Sequence, residues 1–449
     1  MLFNSFSFLF LYLPVVLAGY FLLPRWRLGW LALASLFFYG YWDGRYLPLL
    51  LGSILFNYWC AQHRRLLLFG VAANLALLVY YKFSAVLPVG ISFFTFTQIA
   101  YLVDCYRGGQ GEYRLVPYTL FVSYFPHLVA GPVLHHKEMM PQFDRPSRFD
   151  MADIGIGLSI FVVGLGKKVL LADPISVLVG PVFAPDAHPQ LIEAWIGTLA
   201  YTFQLYFDFS GYSDMAVGLS RLFGVRLPQN FNSPYKAANI SEFWRRWHMS
   251  LSRFLRDYLY VPLGGNRHGV AQRYRNLMLT MLLGGLWHGA GWTFLVWGGL
   301  HGLYLVAHQL AGPSTSRWWG RWLTMLAVML AWVVFRAPDL ATAGEIWQGL
   351  AGMNGVSLPR GAAVLATPFA SVGWLPAFEG IRWIDFGGTA IPALLLAMAL
   401  AWLAPNTQEI FGQPLRWSPA RWRSAAMALL FLGCLFNMNR VSEFLYFQF

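Results

Sequence analysis

Residues 281–292 read MLLGGLWHGAGW, which puts a histidine, His288, inside an otherwise apolar segment. An ionisable side chain at membrane depth is costly and is by default a functional residue. A neutral imidazole in such surroundings can act as a general base at neutral pH. If the segment is helical, Gly284 and Gly285 lie one turn before His288, and Gly291 and Trp292 one turn after it. The ring then sits on a face made mostly of glycine. Two explanations compete. Glycine lets a neighbouring helix approach closely, with His288 hydrogen-bonding across the interface, or glycine makes room for a substrate chain against the ring. In the following segment His301, Tyr304, Leu305 and His308 share one face, with Gly298 one turn before His301. His301 is either a second polar element of a cavity or a helix–helix bond.

A second histidine stands among arginines. Asn239 followed by Glu242 has capping-box spacing, with Asn in the usual Ser or Thr position. Phe243, Trp244, Trp247, Leu251, Phe254, Leu255, Tyr258 and Leu259 then recur at helical spacing, and Arg245, Arg246, Arg253 and Arg256 fall largely off that stripe. The pattern predicts one amphipathic helix over 240–260 lying in the membrane interface. His248 falls on its apolar face. It is either a satisfied core residue or the group that looks into a cavity roofed by this helix. The arginines either attract an anionic cytosolic ligand, such as the phosphates of a nucleotide-bearing thioester, or form a solvated face.

Other candidate chemistry is weaker. Asp208, Ser210, Ser213 and Asp214 occur in YFDFSGYSD. Two carboxylates six residues apart on one helix do not face each other, which disfavours a glycosidase-like pair and favours structural hydrogen bonding. His135 and His136 are adjacent rather than four apart, so no metal spacing is present. No phosphate loop, dinucleotide fingerprint or serine elbow occurs. Cys60, Cys105 and Cys434 lie in or beside apolar stretches and read as core thiols.

The elements that must position these residues are apolar. Of 449 residues, 57% are hydrophobic and 12% charged, a composition that reads as a membrane protein. Candidate spans are 6–23, 28–42, 47–60, 66–81, 86–103, 116–134, 154–183, 191–207, 277–292, 293–311, 321–336, 389–404 and 424–438, in keeping with about ten to thirteen crossings of roughly 20 residues each. The segment 86–103, with Pro88 and Gly90, is a candidate re-entrant or broken helix. Residues 6–23 read as a first span, because Pro24-Arg25-Trp26-Arg27 follows them instead of a cleavage pattern. The net charge of +12 is the excess expected of cytoplasmic loops, and nucleic-acid binding would want a soluble basic domain that is not visible. Arg25, Arg27, His63, Arg64 and Arg65 against the self-cancelling Asp43 and Arg45 put the N-terminus outside the cytoplasm. The longest polar interval is 208–276, basic over 226–275. A further amphipathic helix is expected near Leu340–Leu350.

The chain resembles the membrane-bound O-acyltransferase family, in particular its bacterial alginate O-acetylation branch. The resemblance rests on PVGISFFTF (88–96), FPHLVAGPVLHHKEMMPQF (125–143), YFDFSGYSDMAVG (206–218), the run from Phe231 to Arg267, GGLWHGAGWTFLVWGGLHG (284–302) and the tail FLYFQF (444–449). The paired histidines 135–136 are not part of the pattern. The resemblance covers nearly the whole length, so it implies a single domain over 1–449. It implies an all-α polytopic fold, a ring of tilted helices around a central acyl-transfer tunnel. It implies acyl transfer from a cytosolic thioester such as acetyl-coenzyme A toward a hydroxyl, with no bound cofactor. His288 of the Trp287-His288-Gly289 element would be the catalytic histidine and His248 a second important position. Arg245, Arg246, Arg253, Trp287, Asn239 and His301 would contact donor or substrate. Room for substrate would then explain the glycine face. Tyr446 would relay the acyl group to a periplasmic, SGNH-hydrolase-like transferase working with polysaccharide synthesis in the bacterial inner membrane, or it would simply anchor the last span. D-alanine transfer to teichoic acid and peptidoglycan O-acetylation are the family alternatives. A transporter or flippase with a proton relay is the rival class, although no two-fold repeat is detectable.

Overall fold

A computed structural model describes residues 1–84, 87–108, 114–129, 131–145, 149–312, 317–358, 388–411, 421–438 and 445. Each expected apolar segment carries a helix. The first four are α1 (Leu13–Leu22, entered through a π-helical turn from Phe8), α2 (Arg27–Trp42), α3 (Leu47–Gln62) and α4 (Leu67–Lys82). Next come α5 (Ile91–Gly108) and α6 (Leu115–Ser123), the latter extended by a short turn over Phe125–Leu128. Pro88 and Gly90 fall in the non-helical entry to α5, and from Ile91 that helix is unbroken. Gly90 has φ +73 and packs against the Leu128 carbonyl, where a Cβ would lie 2.7 Å from the oxygen.

Two long helices form the centre. α7 (Met151–Gly166) runs on through a π-helical stretch, Lys167–Ala172, and packs along α8 (Leu191–Leu222). Gly157 faces Gly218 and Gly164 faces Gly211, and a Cβ at Gly164 would lie 2.6 Å from the Gly211 carbonyl oxygen. Small residues at this seam let the backbones approach, the usual means of helix association in lipid. α8 extends well past residue 207, so YFDFSGYSD is buried mid-helix instead of opening a polar interval. The reason is ionic: Lys167 bonds Asp214 at 2.5 Å, and Lys168 bonds Asp208 at 2.6 Å and Asp173 at 2.8 Å. The close seam brings the two lysines opposite the two carboxylates, and pairing makes their burial tolerable.

The predicted single helix over 240–260 is broken. α9 (Ile240–Arg246) and α10 (Met249–Leu255) are separated at Trp247 and His248, and a π-helical turn, Arg256–Tyr260, follows. His248 has left-handed backbone, φ 42, an unfavourable conformation for a residue with a Cβ. Beyond it lie α11 (Val270–His288), α12 (Trp292–Ala311), α13 (Arg317–Arg336), α14 (Leu340–Leu350), α15 (Ala390–Leu403) and α16 (Arg421–Asn437). α14 is the expected amphipathic helix, capped by Asp339 accepting from the Thr342 N–H.

The helical segments Arg64–Lys82, Met151–Ser176 and Arg317–Arg336 are each long and apolar enough to cross a bilayer, and Phe8–Leu22 and Ala390–Leu403 are shorter apolar helices. Large apolar side chains such as Phe10, Phe37, Trp59, Leu323 and Leu403 point outward. The protein is an integral membrane protein whose outer surface is wetted by lipid.

Candidate active site

His288 is the last residue of α11, and Gly289 after it is extended. α11 and α12 form a hairpin whose backbones touch. A Cβ on Gly285 would run into the Phe294 carbonyl, one on Gly298 into the Met281 carbonyl, and one on Gly289 into the Phe294 ring. Gly285, Gly289 and Gly298 therefore serve close helix packing in place of the room for substrate expected of the glycine face, whereas Gly284 meets only the end of the Leu255 side chain. Space lies elsewhere. A small cleft of about 30 Å³ is lined by His288 and Trp287 with Lys82, the Leu87–Phe93 segment and Val129. The His288 ring is set edge-on to Trp297 and Phe335, each at 5.2 Å between centroids, so its orientation is fixed by aromatic packing.

His248 is buried and meets the same tryptophan. Trp287 lies 4.7 Å from the His288 ring and 6.3 Å from the His248 ring. The left-handed turn delivers His248 here, which the helical pattern could not show. Its Nδ1 is 3.1 Å from Asn230 Oδ1. The Ser250 backbone N–H also donates to Oδ1, which identifies that atom as the oxygen. Nδ1 therefore carries a proton, and in the neutral ring Nε2 is an acceptor. The Ser250 hydroxyl donates to Oδ1 at 2.8 Å, and Asn230 Nδ2 donates to Ser213 Oγ of α8. Asn230 thus fixes the tautomer and position of His248, a role that sequence reasoning missed because it lies 18 positions away with no spacing signal.

A second and larger cleft, about 490 Å³, opens among Gln229, Trp244, Arg245, Met249, Arg253 and Arg256. Arg245 and Arg253 both line it. Arg253 is also held by Glu138 at 2.7 Å. Arg246 points away and bonds Glu242 and the Asn232 carbonyl. Asn239 caps α9 by accepting from the Glu242 N–H at 2.8 Å, while Glu242 accepts from Ala238 N–H, a capping role one residue off the expected box. Ser250 and Met249 line this cleft and Trp287 lines the first, so His248 stands between the two.

His301 accepts from the Trp244 indole N–H at Nδ1, 3.2 Å, and so ties α12 to α9. Its Nε2 is buried without a hydrogen-bond partner among the described residues. It lines neither cleft, but its ring packs 4.9 Å from Trp297, which in turn packs on His288. Tyr446 lies outside the described residues. Its neighbour Leu445 donates its backbone N–H to Asp208 at 3.0 Å. Among the described residues no group of His, Cys, Asp or Glu could hold a metal ion, and the three cysteines are buried and unbridged.

Comparison with known proteins gives these features a family context. The model of the membrane-bound O-acyltransferase family matches residues 106–342, which contain both histidines and the arginine-lined cleft. A peptidoglycan O-acetyltransferase of Helicobacter pylori is 44% identical, over 80% of this chain and 81% of its own. A probable alginate O-acetylase of Pseudomonas putida is 39% identical over the full length of both chains. A teichoic acid D-alanyltransferase of Bacillus subtilis is 27% identical over 54% of this chain and 65% of its own.

Proposed function

The chain belongs to the membrane-bound O-acyltransferase family, and from that premise we propose that it moves acetyl from a cytosolic thioester to a hydroxyl outside the membrane, for O-acetylation of an exopolysaccharide. The observation that carries this reading is the pair of clefts on either side of His248 and Trp287, one rich in arginine and the other opening on His288. The basic turns Arg25–Arg27 and His63–Arg65 favour an inner membrane orientation with the N-terminus periplasmic. α11 then starts at the cytosolic face, near Arg267, Arg273 and Arg275, and ends on His288 toward the outer face.

Arg245 and Arg253 would receive the phosphates of the donor, acetyl-coenzyme A or a carrier-bound ester, through charge-assisted hydrogen bonds. Its acetyl end would reach the partition of His248 and Trp287. His288 takes the proton of the acceptor hydroxyl as that oxygen attacks the thioester carbonyl. The carbon–sulfur bond then breaks and the imidazolium returns the proton to the departing thiolate. His248, with Nε2 unprotonated, would accept a hydrogen bond at the same place. Tyr446 is the proposed relay to an extracytoplasmic, SGNH-hydrolase-like transferase partner. Full polymer acetylation in Tyr446→Phe, which keeps the ring and removes the nucleophile, would end that idea.

Alginate is the favoured polymer, because a relative bearing that name aligns over the whole of both chains. Peptidoglycan is the second reading, supported by the 44% identical relative. D-alanyl transfer has the thinner support of a partial match, and a carrier-protein requirement in the donor assay would reveal it. Proton-coupled flux without acyl turnover would mark a transporter instead. The test is His288→Ala at normal level in the membrane, with O-acetyl measured separately on exopolysaccharide and on peptidoglycan. Loss from one polymer names the substrate. Retention on both overturns the role of His288.

A further inference from the structure

The platform under His288 is weak when taken alone. α11 stops at His288, and the joint that follows, Gly289-Ala290-Gly291, contains two glycines. The last carbonyls of any helix lack intrahelical partners. Here the closing bond from the Gly289 N–H to the Gly285 carbonyl is long, 3.4 Å, and no left-handed glycine turn follows to satisfy the rest. An unmet carbonyl buried inside the bundle is costly, so the helix end needs a donor from another element.

Lys82 supplies it. This last residue of α4 lies 206 positions before His288 and donates from Nζ to the His288 carbonyl oxygen at 2.9 Å. A cation at a helix C-terminus is also favoured by the helix dipole. The ammonium is half-buried in the wall of the cleft that His288 lines, and among the described residues it has no carboxylate partner. An ammonium turned into a mostly apolar cleft is costly unless something is gained by it. The other side chains lining that cleft are apolar, apart from Ser92 and His288. We propose that Lys82 is the positioning residue of His288: it pins the end of α11 through the His288 carbonyl and so holds the imidazole at the reaction point. This deepens the reading of His288 as the base and rests on it.

The experiment compares Lys82→Met, Lys82→Gln and Lys82→Arg in the full-length protein in proteoliposomes. Two readouts are taken: acetyl-coenzyme A turnover, and backbone hydrogen exchange over residues 286–291. Lys82→Met removes the donor at similar length. It should lower kcat by roughly 100-fold, as misplacement of a reacting group does. The KM for the donor, whose mouth is the other cleft, should stay unchanged. Exchange at 288–291 should rise. Lys82→Arg should recover most of kcat, and Lys82→Gln, an uncharged donor, part of it with exchange restored. Wild-type kcat or wild-type exchange in Lys82→Met overturns the proposal, as does a Gln variant no better than Met. Failure of the underlying reading is seen separately. If His288→Ala keeps turnover, His288 is not the base, whatever Lys82 variants do to exchange.

Discussion

Removing Lys168 tests how this protein tolerates charge inside its helix bundle. Its ammonium bonds Asp208 at 2.6 Å and Asp173 at 2.8 Å, and the side-chain exposures are 2%, 3% and 13% for Lys168, Asp208 and Asp173. Lys168→Met fits a similar volume but leaves two carboxylates without their shared cation. Breaking a buried ion pair from one side costs on the order of 3–5 kcal/mol, because the stranded charge cannot return to water. Two stranded carboxylates put this site at the upper end of that range. Asp208 also accepts the Leu445 N–H, so the C-terminal segment should loosen as well. The three cysteines are all buried, and thermal unfolding can therefore be followed by the reaction of a thiol-specific fluorophore with the purified protein in detergent. Lys168→Met should unfold well below wild type. Adding Asp208→Asn and Asp173→Asn should recover most of the loss, since replacing a whole buried ionic group is often neutral. A Lys168→Met protein as stable as wild type, or a triple variant no better than the single one, would refute the reasoning.

Three further outcomes are expected. Asn230→Ala should free His248 to change tautomer and lower kcat by roughly 10- to 100-fold, the usual cost of losing the partner that orients a functional histidine; steady-state kinetics with the folded variant check this. Gly285→Leu should drive α11 and α12 apart and cost about 1–3 kcal/mol of stability through overpacking, whereas Gly284→Ala meets only the flexible end of Leu255 at 3.2 Å and should unfold near the wild-type temperature. Arg245→Gln with Arg253→Gln should raise the donor KM by roughly 10-fold with little change in kcat, since charge-assisted bonds to the donor are lost away from the reacting atoms.

The helices were legible in the sequence because long apolar runs with basic flanks allow little else. His288 was legible as well, since a histidine among Leu, Trp and Gly is a conflict of polarity that asks for a function. What was hidden has physical reasons. The partners of Asp208 and Asp214 are Lys167 and Lys168 on another helix, and only the glycine seam of α7 and α8 brings them together. The break at His248 is invisible to periodicity, because a non-glycine residue in left-handed conformation leaves no compositional mark. The glycines near His288 look alike in sequence, yet Gly285 and Gly289 are consumed by the contact with Phe294. Lys82 reads as an ordinary flank of a span until its bond to the His288 carbonyl is seen.

The central claim is that His288 is the base for acyl transfer between the two clefts. The most direct measurement is coenzyme A release from acetyl-coenzyme A by purified protein in proteoliposomes with alginate supplied as the hydroxyl acceptor, comparing wild type with His288→Ala and His288→Gln at equal reconstitution. A positioned general base contributes roughly 10²–10⁴-fold, so both variants should lose at least that lower factor in kcat while the donor KM, set at the arginine-lined cleft, stays within about two-fold. Coenzyme A release at the wild-type rate from either variant would contradict the account.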